Sequence, residues 1–100
     1  MKTLLIYGAT GYTGRMTAAQ AKSAGLNIII AGRNRQRLAA LAGELDVSMR
    51  VFGLEDAAET ALQLAGVDIV LNCAGPFTAT AEPLMKACID QIIHYLDITA

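Results

Sequence analysis

Three glycines fall within seven residues in the run Gly8-Ala9-Thr10-Gly11-Tyr12-Thr13-Gly14, a GxxGxxG pattern between an apolar stretch and an amphipathic one. At a strand-to-helix turn, Gly8 allows the sharp turn, Gly11 lets the backbone approach a pyrophosphate, and Gly14 permits close packing of helix on strand. The free N–H groups and the positive dipole end of the following helix then face the phosphates. Thr10 and Thr13 offer hydroxyls to phosphate or to the helix start. Tyr12 and Arg15 follow on the exposed first turn, Arg15 within reach of phosphate or of solvent. A glycine triplet by itself also fits a purely structural turn. Here its position directly after an apolar run favours the phosphate reading.

The second apolar run ends in Ala31-Gly32-Arg33-Asn34-Arg35-Gln36-Arg37. A site for NAD would carry Asp or Glu about 20 residues beyond the glycines, accepting bonds from the ribose hydroxyls. None stands there. Glycine leaves room and arginine supplies a guanidinium suited to a 2′-phosphate. Cations at a helix start oppose the macrodipole by about 0.3–1 kcal/mol each, and a bound anion reverses that sign. NADP(H) is therefore expected over NAD(H), with Arg33 the first contact, Asn34 the second and Arg37 the outermost. Leu54 after the third run offers an apolar wall for adenine, with Gly53 giving close approach. After the fourth run, Asn72-Cys73-Ala74-Gly75-Pro76 supplies small residues over which the ribose and nicotinamide half can lie. Asn72 is placed to bridge backbone groups there, and Gly75-Pro76 to shape a turn.

Other reactive side chains read as structural. Cys73 has no neighbouring histidine to lower its pKa, and Cys73 and Cys88 lack the spacing of a metal site. His94 lies in the last apolar run and fits an edge strand better than a general base. Tyr95 belongs to packing, since no TyrxxxLys pair is present. Asp97 ends that run, facing either the site or whatever lies beyond it.

These residues need elements to hold them. Strand-length apolar runs occupy residues 3–7, 27–31, 48–52, 68–72 and 93–98. Helix-period segments lie between them. The first covers about 12–24 and stops before Gly25. The second is capped by Asn34 and carries Leu38, Leu41, Ala42 and Leu45 on one face. The third starts at a capping box of Asp56 and Glu59, presents Ala58, Ala61, Leu62 and Ala65, and stops at Gly66. The fourth runs from about 80 to 91, with Pro83 in its first turn. The second and fourth runs read as continuous apolar stretches, not alternating ones, and strands alternating with helices predict an α/β, Rossmann-like doubly wound parallel sheet. Five strands in order 3-2-1-4-5, with helices on both faces, place the ligand at the carboxyl ends of strands 1 and 4.

One hundred residues, 54% apolar and 17% charged, suffice for one small domain and exclude a disordered chain. A net charge of −1 is a poor match to a nucleic-acid binder. No run reaches the length of a membrane span and no signal-peptide pattern opens the chain, so a cytoplasmic location is expected.

With GATGYTG, AGRNRQRL, NCAGPF and HYLDITA in order, the chain resembles the NADP-binding domain of the saccharopine dehydrogenase-like family and the related trans-acting enoyl reductases. The resemblance implies Gly8, Gly11 and Gly14 on the pyrophosphate, Arg33 near the 2′-phosphate, and Asn72, Gly75 and Pro76 on the nicotinamide side. It also implies that residues 1–100 are the cofactor domain of a longer oxidoreductase, with the small-molecule substrate and catalytic groups supplied mainly from elsewhere. Alone, such a domain binds cofactor and turns nothing over. A non-catalytic dinucleotide sensor, or a Rossmann-fold interaction module, is the competing reading. The fifth strand is expected to be an exposed edge beside apolar surface, a possible homodimer contact.

Overall fold

A computed structural model describes residues 1–98; Thr99 and Ala100, the end of the HYLDITA motif, lie outside the described residues. The strands are β1 (Thr3–Tyr7), β2 (Asn27–Gly32), β3 (Ser48–Val51), β4 (Ile69–Asn72) and β5 (His94–Asp97). Between them run α1 (Tyr12–Ser23), α2 (Arg35–Leu45), α3 (Ala57–Gln63) and α4 (Phe77–Gln91). All strand pairs are parallel and the order is β3-β2-β1-β4-β5, as the alternation predicts. The winding reverses between β1 and β4.

Both faces of the central strands are covered, which is why those strands carry no charge. Leu5 and Tyr7 of β1, with Ile29, Ala31 and Val70, pack against Leu64 beside α3 and against Leu84, Ala87 and Cys88 of α4. The alternate residues Ile6, Ile28 and Ile30 pack against Ala18 and Ala21 of α1 and Leu38 and Leu41 of α2. The small alanines of α1 let that helix lie close to the sheet.

Helix ends follow local chemistry. Asn34 accepts a hydrogen bond from the Arg37 N–H at 2.9 Å and starts α2. Asp56 accepts from the N–H groups of Ala58 and Glu59 at 2.9 and 3.2 Å and starts α3. The capping box is only half formed, because the Glu59 carboxylate accepts from Gln63 Nε2 at 2.9 Å instead of turning back. Gly25 follows α1 at φ +82°, the left-handed stop its position predicts.

Two expectations are corrected. The buried residues of the α3 region are Thr60 and Leu64, whereas Ala58, Leu62 and Ala65 are exposed, Leu62 by 71%. Thr60 can be buried because its hydroxyl donates to the Asp56 carbonyl at 3.0 Å. Leu64 brings far more apolar surface inward than the alanines of the expected face. The helix α4 starts at Phe77, three residues before the expected 80, so Pro83 lies inside it and not in its first turn. Thr80 holds that early start by donating to the Ala74 carbonyl at 2.8 Å. Pro83 has no N–H to return to Ala79, and α4 continues without that bond.

Candidate dinucleotide-binding site

The carboxyl ends of β1, β2 and β4 open onto one groove of about 520 Å³. At its centre Gly8 adopts φ +79°, and a Cβ there would stand 2.6 Å from the Ala74 backbone. Glycine thus lets the loops after β1 and β4 touch. A Cβ on Gly14 would overlap the Gly8 carbonyl oxygen and approach the Ala9 Cα at 2.8 Å, so Gly14 serves the packing of α1 on its own turn. Gly11 differs. The nearest atom to a Cβ there is the Gly8 carbonyl oxygen at 3.7 Å, and the rest of its surroundings are open. No side chain caps α1, which leaves its first-turn N–H groups for an anion. Thr10 lines the groove. Thr13 is exposed, its carbonyl accepting the Thr17 hydroxyl at 2.9 Å; neither threonine caps the helix. Tyr12 is 83% exposed on the first turn.

At one end of the groove stand Gly32, Arg33, Asn34, Leu54 and Glu55. The Arg33 guanidinium meets the Glu55 carboxylate at 2.7 Å. Asn34 contributes to the lining, but its side-chain Oδ1 is engaged in capping α2. Arg37 lies outside, in a separate pocket with Arg15 and Glu44 that shares only Thr10 with the groove. Arg15 pairs with Glu44 at 3.9 Å on the surface, a contact that adds little to stability.

At the other end are Ala74, Gly75, Pro76, Ala79 and Thr80. Asn72 is fully buried beneath them and organises them rather than lining the groove. Its Oδ1 accepts from the Ala74 N–H at 2.9 Å, and its Nδ2 donates to Thr80 Oγ1 at 3.0 Å and to the Tyr95 hydroxyl at 3.1 Å. Tyr95 donates in turn to Asp97 at 3.1 Å, so the end of β5 is tied to the floor of the loop. Burial pushes the Tyr95 phenol up, Asn72 draws it back and Asp97 adds to the rise. Cys73 points to the opposite face, against the α1 side of the sheet. Burial raises its thiol, partly offset by a hydrogen bond with Thr17. His94 is exposed at the start of β5, the end of the strand away from the groove.

Tyr7, Glu55, Ala79 and Thr80 line the groove without having been singled out from the sequence. Tyr7 carried a signal: an aromatic hydroxyl ending an otherwise aliphatic strand. It is buried beneath the groove, donates to the Phe52 carbonyl at 2.8 Å and packs on that ring at 5.1 Å between centroids. Burial raises its phenol to about 12, with Arg33 pulling it down and Glu55 pushing it up.

The model of the saccharopine dehydrogenase NADP-binding domain matches residues 4–100. The chain belongs to that family. A trans-acting enoyl reductase of Mycobacterium tuberculosis is 31% identical over 103 residues, a match covering 96% of this chain and 25% of the relative. The chain therefore spans about a quarter of the length of these curated relatives. Among solved structures, saccharopine dehydrogenase (L-Glu forming) from Saccharomyces cerevisiae superposes with a TM-score of 0.87 at 19% identity, covering 100% of this chain and 22% of that one. A Citrobacter sp. triphenylmethane reductase complexed with NADP(H) superposes at 0.77 with 23% identity, over 94% of this chain and 36% of that one. These likenesses establish the Rossmann-like fold. The family establishes an NADP-binding domain of saccharopine dehydrogenase-like type, and the residues fit that cofactor: a glycine turn and uncapped helix for pyrophosphate, and an arginine after β2 for the extra phosphate.

Proposed function

We propose that this domain is the cofactor module of an NADP(H)-dependent oxidoreductase that acts on a small molecule. The observation that carries the reading is Arg33, directly after Gly32 at the end of β2, on the same groove as Gly8 and Thr10 of the glycine turn. In the proposed arrangement Gly8, Gly11 and the first N–H groups of α1 hold the pyrophosphate. Arg33 takes the 2′-phosphate, with Asn34 beside it and Arg37 within reach from outside. Leu54 covers the adenine, and Ala74, Gly75 and Pro76, held by Asn72 and Thr80, seat the nicotinamide half. Tyr12 and Thr13 flank the pyrophosphate from the first turn of α1. Cys73 acts only through its backbone. Bound NADP(H) supplies hydride exchange at C4 of the ring; these residues bind and orient it.

The relatives' fourfold greater length supports a substrate domain outside residues 1–100. A homodimer is supported by Met85, Ile89 and Ile92 along and after α4 and Leu96 of β5, which expose apolar side chains beside an edge strand. Cytoplasmic residence accords with two free thiols on opposite faces of the sheet. No helix among the described residues is long and apolar enough to cross a membrane.

Calorimetric titration with NADPH and NADH tests the cofactor assignment. A charge-assisted bond is worth about 1.5–3 kcal/mol, so Arg33→Ala is expected to weaken NADPH at least about tenfold and leave NADH nearly unchanged. Equal losses for the two cofactors overturn the 2′-phosphate role.

A further inference from the structure

The guanidinium assigned above to the 2′-phosphate is already engaged. Glu55 follows β3, one strand beyond the position where an acidic ribose ligand is usually sought, and its carboxylate lies 2.7 Å from Arg33 within the groove. It reaches there by folding back over Gly53. The three nearest atoms to a methyl placed on Gly53 all belong to the Glu55 carboxyl group. Both partners remain largely in solvent, with side chains 73% and 67% exposed, so the pair is weak and easily exchanged. Glu55 sits in a loop and makes no other side-chain ion pair among the described residues.

We propose that Glu55 is a specificity-determining residue, an internal anion that holds Arg33 at the groove and is displaced when a 2′-phosphate arrives. A 2′-phosphate both replaces the carboxylate on Arg33 and repels it. A cofactor without that phosphate leaves the ion pair intact. Glu55 thus lowers the affinity for 2′-phosphorylated nucleotides and scarcely touches the others.

This inference rests on the assignment of Arg33 to the 2′-phosphate, and the experiment separates the two. The probes are NADPH, NADH, adenosine 2′,5′-bisphosphate and adenosine 5′-monophosphate, each titrated calorimetrically into wild type, Glu55→Gln, Arg33→Ala and the Arg33→Ala/Glu55→Gln double variant. Loss of an exposed ion pair corresponds to a gain of roughly two- to fivefold for the two 2′-phosphorylated ligands in Glu55→Gln. NADH and the monophosphate stay unchanged in Glu55→Gln, and the gain shrinks when Arg33 is absent and when salt is raised. Unchanged or weaker binding of the 2′-phosphorylated ligands in Glu55→Gln overturns the proposal. So does an equal gain for all four ligands. A selective loss of NADH would instead make Glu55 a ribose-hydroxyl acceptor, and also overturns it. If Arg33→Ala weakens NADPH selectively while Glu55→Gln is silent, only the role of Glu55 falls. If Arg33→Ala affects both cofactors alike, the 2′-phosphate site itself falls.

Discussion

Gly11 and Gly14 belong to one motif and do different work. A methyl on Gly14 meets backbone, the Gly8 carbonyl oxygen and the Ala9 Cα, which move only if the turn and α1 move with them. A methyl on Gly11 meets ordinary contact distance and then open space. Gly14→Ala is expected to destabilise the fold by about 1–3 kcal/mol, the usual cost of overpacking, with loss of cofactor binding as a consequence. Gly11→Ala should leave the denaturant midpoint of the cofactor-free domain nearly unchanged and weaken NADPH and NADH alike. Urea melts and titrations of the two variants separate these roles. If Gly11→Ala binds both cofactors as wild type does, Gly11 is not the point of pyrophosphate approach.

The elements carry their own compromises. The short helix α3 is fastened by Arg50 of β3, whose Nη1 donates to the carbonyls of Gln63 and Ala65 at 2.6 and 2.8 Å and so completes the helix end. The end of α4 is less well served. Ile92 takes the left-handed position at φ 57° and is 94% exposed, whereas α1 is followed by a glycine. A β-branched residue in that region costs about 1–2 kcal/mol relative to an unstrained one. Ile92 has little burial to lose. Ile92→Gly is therefore expected to raise the denaturant midpoint, adding on the order of 1 kcal/mol. A lower midpoint would mean that the side chain is covered in solution, by a partner or by another part of a longer protein.

For the whole molecule, the buried ionisable groups predict how stability depends on alkaline pH. Burial raises Cys88 from 9.0 to about 11 and Tyr7 from 10.0 to about 12. Both groups are held neutral in the fold, so the unfolded chain ionises first as pH rises. Their contribution is whole below pH 9, falls from pH 9 to 11 for Cys88 and from pH 10 to 12 for Tyr7, and is spent above the folded values. Each shift corresponds to roughly 2–3 kcal/mol. Denaturant melts at pH 8 and pH 11 should show a steep loss in wild type, a shallower one in Tyr7→Phe and in Cys88→Ala, and the shallowest in the double variant. Parallel slopes in all four would place the alkaline weakness elsewhere.

The sheet order, the parallel strands and the glycine turn after β1 were legible in the sequence because they depend on local rules. Uncharged β-branched runs demand cover on both faces, glycine marks the positions where the backbone bends left or must touch, and Asn34 and Asp56 cap the helices that follow them. The face of α3 was not legible, because alanine contributes little burial and Thr60 hides its own hydroxyl. The early start of α4 was not legible either, since Thr80 secures it through the loop after β4. At the site, residues next to a strand end could be named in advance. What only the tertiary structure decided was which of them share a groove: Tyr7 beside Arg33, Asn72 fully buried beneath the loop whose backbone it bridges, and Cys73 turned to the other face by the alternation of β4. The pairing of Arg33 with Glu55 is the clearest case. Twenty-two positions separate them, and nothing in the sequence joins Glu55 to Arg33 until β2 and β3 lie side by side and aim both at the same space.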